Sequence, residues 1–472
     1  MENIRKKEGK RRMKEIKQKG VTLIALVITI IVLIVLAGVT INALIGENGI
    51  ITKATESKNK DEQAEEKEKI LLAIASAQVD GLGKLTQNYL QTEIDNQFGN
   101  HKAIVIDNAD EIFIVSLVDR KKDYIITEDG VYDGIDWNKA MEEAVAPESQ
   151  DEERNNGVIG IGTDGKPVDM DLWEYTLMED GTYGLNDING LDGTGNLGRS
   201  AGYIGDYTED GKIVGTIPQY ISSDNGKNFI EVTSMVHTFY ECKSLIIAPE
   251  IPRTVKDMQV TFYQASNLIT PPKSIPDSVN NLSYSFASCD KLNKMPKLGK
   301  NITDMMAAFR YTSITELNGE IPSNLIELST AFQGCSKLKY VNVEMHDGIK
   351  NMSNTFKDCS ELTSINITIP NTVKDMSGTF MNCSSLRSVN MIIPSSVTNL
   401  FQTFSICPKL EGRIQIDATL DESIVFTWNG KEYKGYMQTF DSSCQDGSGL
   451  IITGSSSYLE KIRSNNPKIG IE

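Results

Sequence analysis

The sequence predicts a mixed fold: a long N-terminal membrane helix, a small α+β head, and then a β-rich solenoid with capping elements. Three observations predict it. Residues 21–46 hold no charge over 26 positions, enough for one helix to span a bilayer. Residues 47–135 pass from helical spacing to short alternating strands. Beyond residue 230 a phenylalanine returns every 23 or 24 residues, a period that belongs to stacked coils.

Residues 1–20 contain nine Lys or Arg against three Glu, a charge of +6. A basic flank stays in the cytoplasm. The expected location is therefore the cell membrane, single-pass, with a cytoplasmic N-terminus and extracellular C-terminal domains. The junction KQKGVTLIALVITIIVLIVLAGVTI resembles the N-terminus of type IV prepilins and pseudopilins. In that family a prepilin peptidase cuts after a glycine and the new N-terminus is methylated. The resemblance implies processing at Gly20 and Val21. The family usually has Phe at the first mature position and Glu at the fifth, where this chain has Val21 and Ala25.

In residues 47–80, Ile70, Leu71, Ala73, Ile74 and Ala77 fall at helical spacing. A second helix is expected over LTQNYLQTEIDNQFG, then strands at 103–106, 112–117 and 124–127 with a turn at Asp129–Gly130. This reads as a pilin-like stalk and α+β head over 47–135. The acidic run 136–156 has little to bury and reads as a linker. Residues 157–230 are rich in Asp-Gly turns and short strands. They read as structural turns of a β-rich N-terminal cap rather than calcium loops.

Residues 231–410 carry the repeat. Its anchors are Phe239, Phe262, Phe286, Phe309, Phe332, Phe356, Phe380 and Phe404. Seven residues earlier stands a small aliphatic, and four earlier Met or Leu. Three later stands Cys in six copies, replaced by Ala265 and Thr312. Six later stands Leu in seven copies, with Thr315 the exception and Ile314 beside it. These slots define the interior of eight coils, none of which can bury its apolar face alone. Each coil continues into an alternating strand, such as residues 365–369, and most then turn at a proline. The cysteines read as a ladder of buried thiols or as disulfide partners; their rhythm and odd number suit a ladder. Residues 411–472, with a hairpin at Asn429–Gly430, read as a C-terminal cap.

The phrase NTVKDMSGTFMNCSSLRSVNMIIPSSV resembles the BspA-like leucine-rich repeat of bacterial surface proteins. The resemblance implies a leucine-rich-repeat solenoid with a binding surface and an adhesive role. Within the strands, the slot ten residues after Phe reads Pro249, Pro272, Pro296, Gly319, then Asn342, Asn366 and Asn390. The slot eight after Phe ends with Tyr340, Ser364 and Ser388. Stacking would align these as a polar ladder, either a ligand face or a set of self-paired amides.

A net charge of −17 argues against a nucleic-acid partner held by phosphate contacts. His101, His237 and His346 lie far apart, without metal-ligand spacing. No nucleophile elbow or phosphate loop occurs, so neither catalysis nor a cofactor is expected. The expected function is that of a membrane-anchored surface protein binding a protein or glycan. The alternative is a minor pilin or pseudopilin of a pilus or secretion machine.

Overall fold

A computed structural model describes residues 58–81, 84–107, 112–119, 121–127, 130–145, 157–186, 202–418, 425–428, 431–441, 443, 449–454, 459, 461–462 and 470–471. The described chain divides into two compact units, Met1–Asn138 and Lys139–Glu472.

The expected fold class and location both need correction at the membrane helix. Among the described residues no helix is long and apolar enough to cross a membrane. The three α-helices described are α1 (Lys58–Asp80), α2 (Gln87–Phe98) and α3 (Trp137–Val145). Helix α1 has 23 residues but reads KNKDEQAEEKEKILLAIASAQVD, and charges at that density forbid a hydrocarbon environment. The fold is mostly strands and sheets, and single-pass anchoring is not supported. Residues 1–57, including Gly20, Val21 and the stretch expected to span a bilayer, lie outside the described residues.

In the first unit Ile70, Ala73 and Ala77 of α1 and Leu90 and Ile94 of α2 are fully buried. They pack with Val105, Phe113, Val115 and Tyr124 on an antiparallel meander: β1 (Ala103–Asp107), β2 (Phe113–Leu117), β3 (Lys122–Thr127) and β4 (Gly130–Asp136). Strand β4 runs where the sequence suggested only a turn and an end. It buries almost nothing, so it left no apolar signature. Gly134 faces the Asp123 backbone, where a Cβ would sit 2.9 Å from the carbonyl oxygen.

The second unit holds a six-stranded sheet of β5 (Ile159–Gly162), β6 (Pro167–Val168), β7 (Thr176–Leu177), β8 (Tyr183–Gly184), β9 (Pro218–Ser222) and β10 (Ile230–Ser234), then the coils. Asp164, Asp169 and Asp180 each accept the amide two residues on, which is turn chemistry. The hydroxyl of Ser222 and the amide groups of Asn228 hold Asp224 down at about 2.

Coil stacking is literal. Successive rings from Phe239 to Phe404 lie 5.1–5.7 Å apart, all nearly parallel. Phe440 continues the column 5.3 Å beyond Phe404, inside the segment expected as a cap. Each Phe amide donates to the residue before the next Phe, as Phe356 does to the Thr379 carbonyl at 2.8 Å. Two positions per coil, two before and two after Phe, take left-handed φ: Asn354 and Asp358, or Val260 and Gln264. Such φ costs of order 1–3 kcal/mol outside glycine. The coil-to-coil hydrogen bonds hold the backbone there.

The residue before Phe supplies a second column. Thr261, Thr355 and Thr379 are fully buried, and each hydroxyl reaches a carbonyl of its own coil and one of the coil before, Met352 and Leu328 for Thr355. These carbonyls also accept an amide of their own coil, Thr355 to Met352 at 3.2 Å and Ala331 to Leu328 at 3.3 Å, so it is the buried hydroxyl that finds its partners this way.

Five residues before Phe runs a polar column bridged coil to coil: Ser234, Asp257, Asn281, Asp304, Glu327, Asn351, Asp375 and Asn399. Most accept the amide two positions on, as Asp304 does from Met306 at 2.8 Å. Asn351 and Asn399 also donate to the acid one coil back, Glu327 at 3.1 Å and Asp375 at 2.9 Å. Burial, then the charges of Glu327 and Asp257, raise the Asp304 carboxyl against the opposing Met306 amide. A raised carboxyl favours folding when protonated. That contribution is complete below about pH 4 and is lost as pH rises through the folded value. Asp304→Asn keeps the acceptor and removes the charge. It should stabilise the chain by about 0.5 kcal/mol at pH 7, with the gain shrinking towards pH 3. Urea denaturation at both pH values checks this.

Strands after the repeat Leu differ from expectation in the first three coils, where only isolated bridges such as Ile247↔Thr270 and Ser274↔Lys297 occur. Pro249, Pro252, Pro271, Pro272, Pro276 and Pro296 lie there and lack the amide a ladder needs. From the fourth coil on, a parallel sheet forms in the order β11 (Glu316–Glu320), β12 (Tyr340–Glu344), β13 (Ser364–Asn366), β14 (Ser388–Ile393), β15 (Glu411–Ile416), then Leu450–Gly454 and Gly470–Ile471.

Candidate functional site

Strands β11–β15 turn alternate residues inward. Val341, Val343, Val389 and Ile414 are buried. Their neighbours face out and fall into register across coils. One column is Glu316, Tyr340, Ser364, Ser388 and Glu411; the next begins Asn318, Asn342 and Asn366 and continues through Asn390 to Arg413. Tyr340 is 52% exposed, and Asn342, Asn366 and Asn390 are all exposed, while Ser364 is half-buried. Ser388 holds the matching backbone position on β14.

The structure thus brings the six candidate face residues onto one sheet and adds two that sequence spacing missed. Spacing pointed to Gly319. Ile314 rather than Thr315 fills the buried slot, so this coil is one residue short and everything after it shifts. Asn318, not Gly319, stands opposite Asn342. Arg413 enters the column because its coil is shortened in the same way after Leu410. The misplaced Leu slot at Thr315 was the available signal.

Part of the ladder is self-paired. The Asn366 side-chain amide donates to Asn342 Oδ1 at 2.6 Å, and Asn390 Oδ1 accepts the Arg413 backbone amide at 3.3 Å. The amides of Asn342, Asn366 and Asn390 do not titrate near neutral pH. They can donate and accept hydrogen bonds at intervals of one coil.

The thiols lie behind this face. Cys289, Cys335, Cys359, Cys383 and Cys407 are free and fully buried. Each Sγ lies 3.1–3.3 Å from the Phe carbonyl of the preceding coil. Burial pushes Cys335 up to about 11 and Cys359 and Cys383 well above the ordinary thiol. Among the described residues no three His, Cys, Asp or Glu side chains gather as a metal site would need.

With this geometry in place, the family described as BspA type Leucine rich repeat region matches in six copies, over residues 235–339 and 305–423. Residues 235–423 are thus similar to BspA-type leucine-rich repeats. The crystal structure of a leucine-rich repeat protein from Bacteroides ovatus ATCC 8483 is similar over 60% of this chain and 70% of that chain, at 20% identity and a TM-score of 0.37. That of a leucine rich cell surface protein from Faecalibacterium prausnitzii A2-165 is similar over 62% of this chain and 96% of that chain, at 16% identity and a TM-score of 0.24. No curated protein matches the chain. The BspA-type region ends before the stacked Phe440, so the phenyl column outruns the matched repeats by one ring.

Proposed function

We propose that the BspA-type repeat region is a recognition module, displayed at the cell exterior, that binds a protein or glycan through the outward face of β11–β15. The observation that carries this is the registered polar column with a half-exposed tyrosine beside it, on residues the core does not use. The resemblance of the repeat phrase to bacterial surface proteins supports the exterior placement. A polar sheet face with one aromatic anchor is suited to hydrogen-bonded recognition, in which an exposed Tyr often dominates.

The test is binding of the full chain to panels of glycans and of matrix and cell-surface proteins. Tyr340→Ala should weaken a genuine ligand about tenfold, the cost of losing more than 1 kcal/mol at an interface. It should leave folding stability within about 0.5 kcal/mol, as for other surface changes. Binding that ignores Tyr340→Ala places recognition elsewhere.

The N-terminal motif favours a second reading, that of a minor pilin or pseudopilin processed by a prepilin peptidase between Gly20 and Val21. Edman sequencing of the mature chain should begin at a methylated Val21; a chain that begins at Met1 removes that reading.

A further inference from the structure

Strands β13 and β14 come from nearly identical phrases, residues 364–370 (SINITIP) and 388–394 (SVNMIIP). They do not pair along their length. β14 matches β15 at six positions from Ser388 to Ile393, but meets β13 only at Ser364↔Ser388. Beyond that point residues 367–369 keep the alternating burial of a strand, with Ile367 and Ile369 buried and Thr368 exposed. Among the described residues no backbone hydrogen bond joins 367–369 to 390–392. A groove of about 530 Å³ opens there, lined by Thr368, Asn371, Asn390, Ile392, Arg413 and Gln415 together with Ile367, Ile369, Met391 and Pro394.

The direction of the unpaired backbone follows from one bond. The Asp417 amide donates to the Ile393 carbonyl at 2.9 Å, so Ile393 faces β15. Successive residues of a strand turn their main-chain groups to opposite neighbours. Asn390 and Ile392 therefore turn theirs to the groove. Asn390 offers its carbonyl there and Ile392 its amide and carbonyl, about two strand residues on, roughly 6.6 Å. Ile392 is also 57% exposed on the outward face.

We propose that this groove takes an extended polypeptide segment that pairs with β14 as an added strand and carries an acidic side chain towards Arg413. The proposal rests on the recognition reading above and narrows its ligand to a peptide. Three features select this occupant. A backbone repeating every two residues matches the spacing of the groups at Asn390 and Ile392, as in other cases of strand addition. Among the described residues of the lining Arg413 is the single charged one, within a chain of net charge −17. Among those same residues there is no aromatic ring, the platform on which a sugar face would stack.

The probe is a set of blocked heptapeptides of alternating valine and threonine with one aspartate placed at each position in turn, read by fluorescence anisotropy against the full chain. At least one should bind saturably. Methylating the amides along one edge of that peptide should abolish binding, and along the other edge should not. Ile392→Pro removes one groove-facing amide while sparing the β15 side. It should weaken binding at least tenfold with thermal unfolding unchanged. Arg413→Gln should cost the aspartate peptide about tenfold and its asparagine counterpart little. Absence of binding by every peptide, equal loss from both methylation patterns, indifference to Ile392→Pro, or capture of glycans alone would each overturn the proposal. Should Tyr340→Ala abolish a ligand while the peptides fail, the recognition face stands and the groove does not.

Discussion

Phe356→Asp should unfold the central coils. The ring is 1% exposed and lies 5.7 Å from both Phe332 and Phe380, parallel to each within 7°. Truncating a core Phe costs about 3–5 kcal/mol, and an ionised carboxylate without a partner in that space adds several more. Total stability for a domain is of order 5–15 kcal/mol, so the loss is comparable to the whole. The coils communicate only with their neighbours, so damage should begin at residue 356 and spread outwards. Hydrogen exchange should show protection lost first at the amides of Phe332, Thr355 and Phe380. The core around Ile70 and Val115 belongs to a different compact unit and should keep its protection. Phe356→Leu keeps the slot apolar and should cost only about 1–3 kcal/mol, the increment of two aromatic pairs at roughly 0.5–1.5 kcal/mol each. Unchanged exchange in Phe356→Asp would mean that the phenyl column does not hold the coils together.

That column was legible in the sequence because burial constrains chemistry. Only a narrow set of side chains can fill a dry slot, so Phe, Met or Leu, and Cys recur with the period of the coil. The left-handed positions were illegible for the opposite reason. His237, Val260, Tyr284, Ala307, Thr330 and Asn354 all occupy the slot two before Phe with φ of 53–63°. No residue preference marks it, because hydrogen bonds to the next coil impose the conformation against local propensity. The Thr column one before Phe was visible as a repeated letter, but a polar residue inside a dry stack has no apolar signature. Its role appears only when its hydroxyl is seen to tie the Met352 carbonyl of its own coil to the Leu328 carbonyl of the coil before. Of the prolines of the first three coils, the spacing puts Pro252 and Pro276 at turns and Pro249, Pro272 and Pro296 in the outward strand slot. They also delete ladder amides, which is why the sheet begins at Glu316. At the candidate face, spacing found Asn342, Asn366 and Asn390. It missed Asn318 and Arg413 because two coils are one residue short.

The five buried thiols should resist a disulfide reagent in the folded chain at pH 8 and react on unfolding. Two barriers act in series. The reactive species is the thiolate, and burial lifts Cys335 from an ordinary 9.0 to about 11, which cuts its thiolate fraction about a hundredfold. Access is the second: Cys289, Cys335, Cys359, Cys383 and Cys407 have no exposed surface, so a reagent must wait for a coil to open. Cys242 differs, being only half-buried at the first coil. It should label ahead of the other five. Stacking sets neighbouring thiols one coil apart, close enough to oxidise if the column loosened, yet each points its Sγ at a Phe carbonyl. Each such carbonyl also accepts an amide of its own coil, as Phe332 does from Cys335 at 3.2 Å, so the thiol is a second donor that ties one coil to the next. Phe356→Asp should remove this protection from Cys359 and Cys383 first, since Cys383 Sγ donates to the Phe356 carbonyl itself. Rapid labelling of all five thiols in the unmodified folded chain would contradict the dry interior on which the stack depends.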